Sequence, residues 1–260
     1  MELSLNGRNI HVEEPEISGS EKEPSLFFVH GAGCDASVWD PQAEFFSAGR
    51  LTYRMDLPGH GRSSSEPEES ISAYAKWVRL VAFNLFPSRP FVLAGHSMGG
   101  AVAMEIALDP PPGLAGIVLV GTGAKLAVAG AIFQMLKEDV ESFFQTIGDF
   151  AFAPATPLEI RKRFIHTVRR CPPSVIYSDF RACDIFDIRD QLNRIHLPTL
   201  ILCGAEDQLT PPKYSRYLQQ NIRSSRLRII PDAGHMVMAE QPAAMNHAIE
   251  SFLGEIAANR

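Results

Sequence analysis

One short segment, residues 91–99, constrains the fold of this chain more than any other. An apolar run, Phe-Val-Leu-Ala, leads into Gly-His-Ser-Met-Gly, and Gly-Ala-Val-Ala-Met follows. The apolar run predicts a buried strand, and the residues after the turn predict a helix. Gly95 and Gly99 allow the strand and helix backbones to approach closely. Ser97 between them is therefore predicted to lie in a strained turn, with its hydroxyl exposed at the end of the strand.

Continuous apolar runs alternate with helical patterns along most of the chain. A parallel sheet covered on both faces requires such runs, and the alternation implies right-handed crossovers. An eight-stranded barrel would alternate as well, but the turn at Ser97 and an opening hairpin around Asn6-Gly7 favour an open sheet. The predicted strands are 26–29, 51–55, 91–94, 117–120, 200–203 and 227–230. The predicted helices are 38–48, 71–86, 98–108, 213–222 and 243–258.

An acid and a histidine follow two of the later strands. Asp207 comes shortly after the run at 200–203, and His235 follows the run at 227–230. Nucleophile, acid and base thus appear in the order Ser97, Asp207, His235. This is the chain order of one triad architecture among several unrelated ones.

Together these motifs make the chain resemble the α/β-hydrolase superfamily. The matching motifs are His30-Gly31, Asp-Leu-Pro-Gly-His-Gly-Arg-Ser at 56–63, the turn at 95–99, Asp207 and Gly234-His235. The resemblance implies an α/β-hydrolase fold, a mostly parallel, doubly covered sheet with a helical cap insertion. It divides the chain into a core, residues 1–121 and 191–260, and a cap, residues 122–190. Helical patterns at 126–140 and 157–170 agree with such a cap.

The candidate catalytic residues are Ser97, Asp207 and His235. A serine hydroxyl needs a base within hydrogen-bond reach, and imidazole can take and return a proton near neutral pH. Asp207 would hold the imidazole in the right tautomer. Asp232 is a competing acid three residues before His235, but Asp207 is preferred because it follows a buried strand and matches the family position. No spacing of ligands predicts a metal, and no cofactor is expected.

The oxyanion donors are expected to be the backbone amides of Met98 and Ala32. Met98 begins the helix after the serine, where amides are unpaired and the helix dipole favours negative charge. The resemblance favours Ala32 over Gly33 in the loop after the first core strand. His30 is expected to order that loop, and His60 to be structural.

Residues 161–170 carry five cations on a chain whose formal net charge is −6. The side chains of Lys162, His166, Arg169 and Arg170 fall on one helical face. A solvated face is the simpler interpretation. The alternative is a docking site for an acidic partner, such as an acyl carrier protein, or for an acidic substrate tail.

Composition excludes several classes of partner. The negative net charge argues against nucleic acid as a partner. No apolar run approaches the roughly 18 residues of a membrane span. The N-terminal residues show no signal-peptide pattern. The four cysteines form no Cys-x-x-Cys pair and are predicted to be reduced thiols in a cytoplasmic protein.

The sequence therefore predicts a serine hydrolase that cleaves a small-molecule carboxylic ester or thioester through an acyl-enzyme. Ring-cleavage carbon–carbon bond hydrolases, acyl-carrier-protein methyl ester esterases and cofactor-free haloperoxidases have similar layouts. A non-catalytic ligand receptor on the same fold is the alternative from a different class, because fold does not fix function.

Overall fold

The computed structural model describes residues 1–15, 23–63, 66–87 and 89–258. Within these ranges eight strands form one sheet in the order β1-β2-β4-β3-β5-β6-β7-β8. The strands are β1 (Glu2–Leu5), β2 (Arg8–Glu13), β3 (Ser25–Val29), β4 (Thr52–Met55), β5 (Phe91–His96), β6 (Leu114–Val120), β7 (Thr199–Gly204) and β8 (Ser225–Ile230). The pairs β1–β2 and β2–β4 are antiparallel, and the other neighbours are parallel. The predicted open, mostly parallel sheet is confirmed.

Helices cover both faces of the sheet. They are α1 (Asp40–Ser47), α2 (Ile71–Leu85), α3 (Met98–Ala107), α4 (Gly130–Glu138), α5 (Val140–Phe150), α6 (Leu158–Arg170), α7 (Pro173–Asp184), α8 (Pro212–Asn221), α9 (Val237–Glu240) and α10 (Pro242–Ala258). Two 3-10 turns precede α1 and β7, at Ala36–Trp39 and Arg189–Arg194. None of the helices in the described ranges combines the length and the hydropathy needed to cross a bilayer.

Strand β5 shows why the central runs are apolar without alternation. Phe91 and Leu93 pack into the core on one face of the sheet, together with side chains of α2 and α3. Val92 and Ala94 pack into the core on the other face, together with side chains of α10. Because both faces are covered, the side chains of residues 91–94 are all apolar.

The helical segment, defined here as residues 122–190, differs from its predicted pattern. One helix was expected at 126–140, whereas α4 ends at Glu138 and α5 begins at Val140. Asp139 separates them because its backbone is not helical and its carboxylate accepts a hydrogen bond from the amide of Ser142 at 3.1 Å. Helix α7 was not predicted at all. The division of the chain at residues 122 and 190 stays a prediction.

Candidate active site

Ser97 lies between the end of β5 and the start of α3 with φ +51° and ψ −114°. A non-glycine residue with positive φ is strained, and such strain persists only where the surroundings impose it. Those surroundings are tight. A Cβ on Gly95 would lie 2.1 Å from the carbonyl oxygen of Gly99, and a Cβ on Gly99 would lie 2.4 Å from that of Val29. The two glycines therefore make the turn at Ser97 feasible, as the sequence indicated.

The structure brings His235 and Asp207 together at the carboxyl ends of β7 and β8. The His235 Nδ1 atom lies 3.0 Å from Oδ2 and 3.2 Å from Oδ1 of Asp207. Asp207 lies in the loop between β7 and α8, and His235 lies between β8 and α9. Both side chains are buried. Asp232, the competing acid, is exposed.

The Asp207 carboxylate is held by its own loop. It accepts hydrogen bonds from the amides of Leu209 and Thr210 at 2.9 and 2.8 Å. The Thr210 hydroxyl donates to it at 2.8 Å. Burial raises the pKa of this carboxyl, but the neighbouring His235 and the bonds from Thr210 outweigh burial and hold the pKa below its ordinary value. Asp207 is thus an anion that fixes the orientation of the His235 ring.

The loop after β3 lies directly against the serine. A Cβ on Gly31 would be 3.1 Å from the Cβ of Ser97. His30 donates from Nδ1 to the Gly31 carbonyl at 2.8 Å, and its Nε2 accepts from the Leu57 amide at 3.0 Å. His30 therefore orders its own loop, as predicted. The amide of Gly33 is engaged elsewhere, since it donates to the Asp179 carboxylate at 2.8 Å.

The backbone amides of Ala32 and Met98, unlike that of Gly33, are not engaged in this way. Among the backbone hydrogen bonds that the described residues form outside helices and strands, none has either amide as its donor. Met98 is the first residue of α3, where a helix leaves its amides unpaired.

His96 packs beside the candidate base. Its Nε2 donates to the backbone carbonyl of His235 at 3.1 Å, and the two ring centroids are 4.6 Å apart. Burial, together with the imidazole of His235, lowers the pKa of His96 well below its ordinary value. His96 is a neutral packing partner that supports the backbone of His235.

A cavity of about 360 Å³ opens onto Ser97 and His235. The loops at the sheet edge form its floor with Gly31, Ala32, His96, Thr210 and Met236, among others. The helical segment forms its walls, which are apolar side chains except for Thr146 and Cys183. These side chains are Leu126, Ala127, Val128, Ala129, Ile132, Phe143, Ile147, Phe150, Phe164, Val168 and Phe180. Among the residues that the structure describes, none of those lining the cavity is an aspartate, glutamate, lysine or arginine.

The candidate docking residues lie apart from this cavity on the exposed face of α6. Lys162, His166, Arg169 and Arg170 are all exposed. Three of them face carboxylates: Lys162 pairs with Glu159 at 3.0 Å, Arg169 with Glu141, and Arg170 with Asp35. These ion pairs neutralise much of the positive charge that the sequence pattern indicated.

Sequence reasoning missed two residues that organise the site. Thr210 could have been found from its place three residues after an acid at a strand end, because such a carboxylate often accepts a hydrogen bond from a nearby backbone amide. Asp179 shares the buried face of α7 with Val175, Ile176, Ala182 and Cys183. A single acid on an otherwise apolar helix face indicates a buried partner.

Comparison with known proteins identifies the family. The family model described as alpha/beta hydrolase family matches residues 26–248. The chain belongs to the alpha/beta hydrolase family.

Relatives within this family include hydrolases of ester bonds. The chain is 28% identical to 3-oxoadipate enol-lactonase 2 of Acinetobacter baylyi, with 90% of each chain covered. It is 25% identical to the pimeloyl-[acyl-carrier protein] methyl ester esterase of Nitrosomonas europaea, covering 87% of this chain and 92% of the relative. A thermophilic esterase of known structure is 31% identical and superimposes with a TM-score of 0.86, covering 98% of this chain and 97% of the other. The chain is thus an alpha/beta hydrolase similar to esterases and to an enol-lactonase.

Proposed function

We propose that this chain is a serine hydrolase that cleaves uncharged carboxylic esters, or the corresponding thioesters, through an acyl-enzyme. One observation carries the proposal. Ser97, in a strained turn, lines the same cavity as His235, and the Nδ1 atom of His235 contacts the buried carboxylate of Asp207. A protein that only bound a ligand would have no need of a base beside the serine.

The arrangement supports a definite division of roles. With Nδ1 of His235 facing Asp207, Nε2 is the ring nitrogen left to take the proton of Ser97. The serine oxygen then forms a bond to the acyl carbon while the carbonyl electrons move onto its oxygen. His235 returns the proton to the leaving alcohol or thiol as the tetrahedral intermediate collapses to the acyl-enzyme. A water molecule, deprotonated by the same imidazole, then forms a bond to the acyl carbon. The bond from that carbon to the Ser97 oxygen breaks, His235 returns the proton to the serine, and the acid is released.

The developing oxyanion is assigned to the amides of Ala32 and Met98. The hydrogen bond from Gly33 to Asp179 supports this choice, because an amide that already donates to a carboxylate is not free for the substrate. The position of Met98 at the start of α3 adds the favourable end of a helix dipole. Removing one such donor typically costs about a hundredfold in turnover or more.

The cavity limits the acyl group to uncharged, apolar chains. At roughly 30 Å³ for each water-sized group, its volume holds about a dozen heavy atoms. A carboxylate placed among these walls would lack a cation, and burying an unpaired charge costs several kcal/mol. The lactone of 3-oxoadipate keeps one free carboxyl group, as its name implies. This cavity therefore favours a neutral ester over that class of substrate.

A matched pair of substrates tests the proposal. The 4-nitrophenyl ester of hexanoic acid and the mono-4-nitrophenyl ester of adipic acid share a chain length and differ in a terminal carboxylate. We expect kcat/KM to be at least about a hundredfold higher for the hexanoate. Ser97→Ala should abolish both reactions and should not react with a fluorophosphonate probe.

Two results would contradict the proposal. Ser97→Ala with a tenth of the wild-type rate, after contamination is excluded, would remove the serine mechanism. Equal kcat/KM for the two esters would leave the mechanism intact and remove the assignment of an uncharged acyl group.

A carrier-protein ester is the second candidate substrate. The relative from Nitrosomonas europaea acts, by its name, on an acyl carrier protein ester, and α6 exposes Lys162, His166, Arg169 and Arg170. The carboxylates that face three of these side chains count against it, because they reduce the charge available to an acidic partner.

A further inference from the structure

Asp179 is a buried carboxylate that the proposed reaction does not use. It lies on α7 within the helical segment and is completely inaccessible to solvent. It accepts three hydrogen bonds, each from a different part of the core. The Gly33 amide and the His60 Nε2 atom both reach Oδ2 at 2.8 Å, and the Tyr74 hydroxyl reaches Oδ1 at 2.6 Å.

The charge of this cluster is internally balanced. His60 donates from Nδ1 to the carbonyl of Pro58 at 3.0 Å and from Nε2 to Asp179, so both ring nitrogens act as donors. Burial lowers the pKa of His60, but the charge and hydrogen bond of Asp179 outweigh burial and raise it well above its ordinary value. The pair is therefore a buried imidazolium and carboxylate, a combination that is strongly destabilised when one partner is removed.

The same carboxylate fixes one end of the loop that carries Ala32. On one side of Ala32, the Gly31 carbonyl accepts from His30 at 2.8 Å. In a trans peptide that carbonyl and the Ala32 amide point in opposite directions, so His30 aims the Ala32 amide away from itself. On the other side of Ala32, Asp179 holds the Gly33 amide. Gly33 has φ +66°, and a Cβ there would lie 3.2 Å from Ile176 of α7.

We infer that Asp179 is a positioning residue that links the placement of α7 to the orientation of the Ala32 amide. The loop after β3 is then set by two anchors, one within the core and one carried on the helical segment. This inference rests on the proposed function, because it assigns the loop to binding the oxyanion. A shift of α7 would tilt the loop and reduce its stabilisation of the transition state. Binding of the substrate itself would change little, because it depends on the apolar walls.

Three variants test the inference. Asp179→Ala removes both acceptor oxygens, and Asp179→Asn keeps the volume but loses the charge that strengthens the bond to Gly33. Tyr74→Phe is the matched control, since it removes a hydrogen bond to the same carboxylate without touching the loop. We expect kcat for the hexanoate ester to fall by about threefold or more in Asp179→Asn and about thirtyfold in Asp179→Ala. We expect KM to change little and Tyr74→Phe to keep the wild-type kcat.

Two further measurements separate positioning from a general loss of structure. A trifluoromethyl ketone with the same acyl chain forms a tetrahedral adduct with a serine, so its inhibition constant should rise in parallel with the loss of kcat. Hydrogen exchange of the Gly33 amide should accelerate in both Asp179 variants and stay unchanged in Tyr74→Phe. Both readings are compared with melting temperatures of the same proteins.

The outcomes are distinct. If Asp179→Ala does not fold, the comparison of Asp179→Asn with Tyr74→Phe decides. Equal kcat and inhibition constants in these two variants would overturn the inference, as would faster exchange at Gly33 with an unchanged kcat. Hydrolysis that survives Ser97→Ala would contradict the proposed function. Hydrolysis that requires Ser97 but does not depend on Asp179 would contradict only the positioning role of Asp179.

Discussion

The loops at the carboxyl edge of the sheet and the helical segment line the same cavity with different chemistry. The loops contribute polar side chains, Ser97, Thr210 and His235 among them. From the segment, within the described residues, Thr146 is the one side chain that brings a hydroxyl group to the cavity, and the other walls are apolar apart from the Cys183 thiol. In the proposed reaction, reactivity depends on a few distances at the sheet edge, whereas selectivity depends on the bulk and polarity of the walls.

The two regions also tolerate change differently. The sheet-edge loops are fixed by close backbone contacts and buried hydrogen bonds, such as those at Gly95 and Asp207. A wall of apolar side chains depends on their packing, so substitutions there that conserve volume and polarity cost little stability. Substitutions should thus separate into those that affect every substrate and those that affect only long ones.

After Ser97→Ala, the largest effect is expected from Asp207→Asn. An amide at this position would favour the wrong tautomer of His235, so kcat should fall by about 10³- to 10⁴-fold for short and long esters alike. Asp232→Asn is the matched control, because this acid is exposed and should leave kcat within about twofold. Steady-state kinetics on acetate and hexanoate esters provide the check. A larger loss in Asp232→Asn than in Asp207→Asn would reverse the assignment of the acid.

Lowering the pH should reduce the free energy of unfolding through His30, which orders the loop after β3. Burial and the neighbouring His60 lower the pKa of His30 to about 4. Between that value and the ordinary 6.5 the unfolded chain binds the proton and the folded chain does not. The resulting stability, about 3 kcal/mol, is complete above pH 6.5 and is lost as the pH falls towards 4.

Urea unfolding between pH 4.5 and 7 measures this contribution. His30→Asn keeps a donor near the Gly31 carbonyl but cannot titrate, so its stability should depend less steeply on pH, by about 1.4 kcal/mol per pH unit. His247→Asn is the control, because that side chain is 85% exposed. If the free energy of unfolding had the same pH dependence in wild type and His30→Asn, His30 would not be the group that lowers stability in acid.

A moderate, substrate-dependent effect is expected from the walls. Phe180 lines the cavity and packs against Phe143 with ring centroids 5.9 Å apart. Phe180→Ala should lower kcat/KM for the hexanoate ester about tenfold, since lost apolar contacts cost 1–3 kcal/mol, and should spare the acetate ester. Phe83→Ala provides the control, because that ring is 77% exposed on α2. Equal losses on both esters would mean that the segment supports the reaction itself.

The smallest effect is expected on the exposed face of α6. Replacing Lys162, Arg169 and Arg170 with glutamine should change kcat/KM for a small neutral ester by less than about twofold, because exposed ion pairs contribute little. The same variant is tested on an ester carried by an acyl carrier protein. A salt-dependent increase in KM for the carrier-bound ester would support a docking surface on α6. An unchanged KM leaves α6 as a solvated face.

Local sequence patterns were sufficient for the framework of the site. The turn at Ser97 follows from two glycines around a serine after a buried strand. The glycines and the apolar run of the strand are all recognisable within residues 91–99. The order of Asp207 and His235 after later strands follows from the apolar runs before them. Parallel strands bring their carboxyl ends to one edge, so residues far apart along the chain were expected to meet there.

Tertiary structure decided the contacts that refine this site. Gly33 and Asp179 are 146 residues apart, and no periodicity in the sequence relates an amide of one loop to a carboxylate on a distant helix. The ion pairs of Arg169 with Glu141 and of Arg170 with Asp35 are likewise products of packing. Periodicity reports which face of an element is buried, whereas partners across the fold are set by how the elements pack. The sequence therefore determined the sheet and the order of the candidate catalytic groups, and only the packing of the helical segment decided what surrounds them.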